Sequence, residues 1–121
     1  MATDELYSTC STDGVLVVTF RQGDIIDAMA IDRMSASVKE LIQGAPETRF
    51  VLDFQHVPHL SSTALGMLIG LHRRVVQRQG RLKLAGINPD IMEVFRVTKL
   101  DTVFDIYKDS ASAIEAFRKN L

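Results

Sequence analysis

The chain has 121 residues, 46% of them hydrophobic and 24% charged, which suits one folded domain with its own core and excludes a disordered segment. Its formal charge of −1 offers no overall attraction to nucleic acid or to an anionic membrane. Cys10 stands alone, so an internal disulfide and a cysteine-cluster metal site are both excluded.

Met1-Ala-Thr-Asp-Glu-Leu6 has no basic n-region and no apolar h-region, so secretion by a signal peptide is not expected. The longest unbroken apolar run, residues 64–71, falls far short of the roughly 20 residues of a membrane span. The expectation is a cytoplasmic protein with no membrane insertion, forming a single domain over residues 1–121.

In chain order, residues 6–10 and the β-branched run Val15-Leu-Val-Val-Thr-Phe20 read as a hairpin about Asp13-Gly14. Ile31, Met34, Val38 and Leu41 then recur at helical spacing, with Asp27 as N-cap, Gly44 as stop and Pro46 barring continuation. An apolar strand at 50–54 leads through a short loop to a helix over about 62–79, ended by Gly80. Arg81-Leu-Lys-Leu-Ala85 alternates as a half-buried strand. Asn88-Pro89-Asp90 opens a short helix over 91–97, with cap, proline and acid in their favoured places. Residues 103–107 read as the last strand, and Asp109 or Ser110 caps a final helix carrying Ala113, Ile114 and Phe117. The order β-β-α-β-α-β-α-β-α predicts an α/β sandwich: a mixed, largely parallel sheet of about five strands with about four helices.

The junction between the strand at 50–54 and the following helix holds the chemistry worth weighing. Ser61-Ser62-Thr63 can be a helix cap, a nucleophile, or a phosphorylation site that switches partner binding. For a nucleophile elbow the Gly-x-Ser-x-Gly pattern is missing, with Pro58, Leu60 and Ala64 in the wrong places. His56 and His59 lie just upstream of the serines, where that fold does not draw its base. His56-x-x-His59 has a spacing metals use, yet no matching ligand cluster flanks it, and solvated loop histidines are the simpler reading. Asp53 ends its strand, where it is expected to cap or bond locally. No phosphate-cradling Gly-x-x-x-x-Gly-Lys-Ser/Thr loop is present, so no cofactor is expected.

Gly66 and Gly70, at small-x-x-x-small spacing, suggest a close approach of helix and sheet. Arg73, Arg74, Arg78, Arg81 and Lys83 form a basic cluster that suits a helix C-terminus and, without interleaved aromatics, points away from nucleic acid. His72 shares a helical face with Leu65, Leu68 and Val76, as a histidine packed at the core edge would. The serine cluster supplies a cap, because Ser and Thr oxygens accept from unpaired first-turn N–H groups. Three hydroxyls exceed what one cap uses, which leaves at least one for solvent. A phosphate there would meet the positive end of the helix and add about two negative charges beside Leu65, Met67 and Leu68.

Several separated segments resemble the STAS domain family, named for sulfate transporters and anti-sigma factor antagonists. Val51-Leu-Asp-Phe54 is similar to its strand ending in Asp-Leu or Asn-Leu, and Leu60-Ser-Ser-Thr-Ala-Leu-Gly66 to its Asp-Ser-Ser/Thr-Gly-Leu-Gly segment. Ile26-Asp-Ala-Met-Ala30, Arg81-Leu-Lys-Leu-Ala-Gly-Ile-Asn-Pro89, Val94-Phe-Arg-Val-Thr-Lys-Leu100 and Phe104-Asp-Ile-Tyr107 match further elements, from about residue 15 to 117. Ser61 stands where the family has aspartate and Ala64 where it has glycine.

The resemblance implies a non-enzymatic regulator that binds an anti-sigma factor which is also a serine kinase. Phosphorylation at the start of the second helix would release that partner. The implied acceptor is Ser62, with Thr63 and Ser61 as alternatives. Asp27, His59, Ser61, Thr63, Ala64 and Met67 would form the partner-binding surface, and ATP would belong to the partner. The alternative that the resemblance leaves open is a non-switching scaffold subunit of a larger signalling or lipid-transport complex.

Overall fold

The computed structural model describes residues 7–21 and 28–120. Two strands open it, β1 (Tyr7–Thr12) and β2 (Val15–Phe20), joined through Asp13 and Gly14. Both turn residues have positive φ, 53° and 78°, which is the backbone twist a two-residue hairpin requires. Then come α1 (Ala28–Gly44), β3 (Arg49–Asp53), α2 (Ser62–Gln77), β4 (Arg81–Ala85) and α3 (Pro89–Val97). A 3-10 turn at Leu100–Thr102, β5 (Asp105–Tyr107) and α4 (Ser110–Arg118) complete it.

The strands lie side by side in chain order, with β1 antiparallel to β2 and each later neighbour parallel. Each parallel step needs a crossover, and a helix supplies it, as the alternating order predicts. Alternation along the strands divides the side chains between two faces. Leu16, Val18, Phe50, Leu52, Leu82 and Leu84 pack with buried residues of α1, α2 and α3. Val15, Val17, Val51 and Ala85 pack instead with Ala113 and Phe117 of α4. With three helices on one face and one on the other, the loops leading into α2 and α3 sit together at the C-terminal edge of the parallel strands.

Four expectations change. Lys83, read as part of a basic cluster on a half-buried strand, is fully buried at 0% exposure under α4. Its ammonium donates to Asp105 Oδ2 and to the Tyr107 hydroxyl, each at 3.3 Å, and lies 4.7 Å from the centre of the Phe117 ring. Arg78 also leaves the cluster: its guanidinium turns back to the carbonyls of Ala45 (2.8 Å) and Glu47 (3.3 Å), just past α1. Gly66 and Gly70 do not mediate a close approach, since a Cβ on either would meet nothing within 4 Å. That contact lies at Gly80, where a Cβ would stand 2.6 Å from the Thr48 carbonyl oxygen, while the left-handed stop after α2 falls on Gln79 at φ 62°. The last strand begins at Asp105, because Lys99 turns left-handed and the 3-10 turn carries Phe104 into the core instead.

Candidate protein-interaction site

Residues 54–61 connect β3 to α2 at the C-terminal edge of the sheet. The loop starts from a buried carboxylate: Asp53, 2% exposed, accepts the Gln55 backbone N–H at 3.0 Å and the Gln55 side-chain amide at 2.9 Å. Its expected local bonding is therefore present. The Phe54 N–H donates to the Ala85 carbonyl at 2.9 Å, and Val57 plugs the loop into the core at 2% exposure.

Gly86 presses on this turn from β4. At φ +70°, a Cβ there would lie 2.8 Å from Asp53 Oδ1 and 2.9 Å from the Gln55 nitrogen, so a side chain is barred by both conformation and space. Asn88 adds the second tie. Its Oδ1 accepts the Ile91 N–H at 2.9 Å and caps α3, as expected from Asn-Pro-Asp. Its Nδ2 donates across the gap to the Pro58 carbonyl at 2.9 Å and the Val57 carbonyl at 3.4 Å. Sequence reasoning found the cap and missed the bridge. The Asn-Pro pair signals a helix start, whereas nothing local signals which carbonyls its amide will face.

The three hydroxyls part company at the start of α2. Ser61 is the N-cap, in an extended conformation, and its Oγ accepts the Ala64 N–H at 3.1 Å. Ser62 and Thr63 form the first helical turn and are both exposed. Their N–H groups have no acceptor within the helix, since a helix leaves its first donors unpaired. An anion on Ser62 would find those donors and the positive helix end close by.

The remaining residues of the predicted surface are not all on it. His59 is exposed, but Ala64 and Met67 are buried at 0% and 6%, and Leu68 at 0%. The expectation that Ala64 and Met67 offer side chains to a partner is corrected: both point into the core and hold α2 on the sheet. Asp27 lies outside the described residues. His59 instead lines a cleft of about 140 Å³ with Leu60, Leu65, Asp90, Ile91 and Val94, between the loop, α2 and α3. His56 lines a different depression, with Ser8, Thr19, Phe20 and Arg21, so the two loop histidines diverge. Among the described residues no group of three or more His, Cys, Asp or Glu side chains comes together. His72 packs edge-on against Phe104, ring centres 5.2 Å apart, as a core-edge histidine. No helix among the described residues is long and apolar enough to cross a membrane.

Comparison with known proteins bears on this arrangement. The STAS domain profile matches residues 8–113. Over 87 residues the chain is 30% identical to the anti-sigma-B factor antagonist of Listeria monocytogenes, a match covering 69% of this chain and 76% of that one. Its fold is similar to that of an anti-sigma factor antagonist from Mycobacterium paratuberculosis, with a TM-score of 0.80 at 22% identity over 93% and 92% of the two chains. Bacillus SpoIIAA, solved in its phosphorylated form, is similar with a TM-score of 0.70 at 20% identity over 92% and 98%.

Proposed function

Because this chain belongs to the STAS domain family, we propose that it is an anti-sigma factor antagonist: a non-enzymatic, cytoplasmic protein that binds an anti-sigma factor acting also as a serine kinase. Phosphorylation of Ser62 releases that partner. The observation that carries the reading is the division of labour at the start of α2. Ser61 is occupied as the cap, while Ser62 is exposed one residue later, beside unpaired N–H donors. The name of the Listeria monocytogenes relative and the phosphorylated form of Bacillus SpoIIAA support the same reading.

The two departures from the family pattern are compatible with it. Ser61 replaces aspartate with another good N-cap, so the helix start keeps its acceptor. Ala64 replaces glycine with a methyl group that is wholly buried and leaves the exposed hydroxyls unobstructed. About two added charges on Ser62 would have to be desolvated in the complex, which opposes docking.

The test is incubation with each serine-kinase anti-sigma factor of the source organism and ATP, followed by peptide mass spectrometry. Phosphate is expected on Ser62 and absent from Ser62→Ala. Binding is expected to weaken roughly 100-fold in Ser62→Glu, the scale a switch needs. Phosphate on none of Ser61, Ser62 and Thr63, together with binding indifferent to Ser62→Glu, would refute the proposal and leave a constitutive scaffold.

A further inference from the structure

The loop that delivers Ser61 and Ser62 runs past its neighbours with its polar tip outward: His59 and Pro58 are exposed, and Leu60 is half-buried. Core packing anchors it at Val57 on one side and at Ala64 on the other, each at most 2% exposed. Between those anchors the Asn88 amide grips the chain from another element, at the carbonyls of Val57 and Pro58. The same side chain is fixed at its other end by the Ile91 N–H. Ile91 is itself buried at 4%, so the grip is referred to the core through α3.

We propose that Asn88 is a positioning residue for partner recognition: its amide clamps the β3–α2 loop to the start of α3, and so sets where His59 and Ser62 are presented. The proposal rests on the partner reading given above. Its two ends have separable chemistry. Oδ1 does the capping and Nδ2 does the clamping, and aspartate preserves the first while reversing the second. An aspartate oxygen in place of Nδ2 would face two carbonyl oxygens it cannot donate to, and the loop would be pushed away. As an N-cap, aspartate is as good as asparagine, with an added favourable charge at the helix start. A residue that served only α3 would tolerate the change. A clamp would not.

Amide hydrogen exchange on wild type, Asn88→Asp and Asn88→Ala separates these roles without any partner. In Asn88→Asp, exchange should speed up roughly tenfold at the hydrogen-bonded amides of Val57, Ala64 and Leu65, while α3 stays as protected as in wild type. In Asn88→Ala both segments should loosen. Unchanged exchange at Val57, Ala64 and Leu65 in Asn88→Asp would overturn the clamp. With the kinase partner found by the phosphorylation screen, Asn88→Asp should bind roughly tenfold more weakly. Full affinity despite a loosened loop would overturn the role in recognition and leave the partner reading intact. Absence of any wild-type partner would remove that reading and the recognition role with it, while the exchange data would still decide whether Asn88 holds the loop.

Discussion

At the scale of single residues, the Ser61-Ser62-Thr63 cluster is one cap followed by two exposed hydroxyls. Replacing Ser61 by alanine removes the acceptor of the Ala64 N–H and should cost about 1 kcal/mol of stability, read from urea unfolding. Ser61→Asp should restore that loss, since both oxygens cap equally well. The presence of a cap at this junction was legible from three adjacent hydroxyls before an apolar helix. Which hydroxyl serves was not, because adjacent residues compete for the same N–H groups and the loop geometry picks the winner. Ala64 and Met67 make the same point in reverse. They sit within the motif, yet their places in the helical turn aim them at the sheet.

At the scale of elements, the helices were largely readable because each carries its own punctuation. Asn88 and Pro89 open α3, and Asp109 caps α4 by accepting the Ser112 N–H at 2.8 Å. The Ser112 backbone N–H, then its hydroxyl, hold the Asp109 carboxyl below the ordinary carboxylate value, with Lys108 adding a small pull the same way against slight desolvation. A lowered folded-state value means the ionised cap stabilises the fold above the unfolded carboxylate range, and that this contribution is lost as pH falls through the folded value. Melting temperatures of wild type and Asp109→Asn, measured across acid pH, should therefore converge as the pH drops. Strand β5 was the least readable element. The sequence 103–107 looks uniformly strand-like, but Phe104 is drawn toward Phe95 and His72, and ladder pairing starts only at Asp105.

At the scale of the whole molecule, the sheet is covered unevenly, and among the described residues α4 alone seals the face that buries Lys83. Lys83→Ala should leave a hole beneath α4 and cost about 2–4 kcal/mol, whereas Lys83→Met, which keeps the volume, should stay within about 1 kcal/mol. Equilibrium denaturation of the two variants checks this. Asp105 is 59% exposed in its side chain, so losing the ammonium does not strand a buried carboxylate. By itself the sequence determined the order and kind of the elements, the largely parallel sheet and the hydroxyl cluster at the junction of β3 and α2. Those follow from periodicity, turn chemistry and capping, which act over a few neighbouring residues. Only the tertiary structure decided that Lys83 and Arg78 leave the basic surface, that Gly66 and Gly70 face open space, and that Asn88 reaches from one loop to another. Each of these depends on which atoms from distant parts of the chain share a space, and a local pattern cannot carry that information.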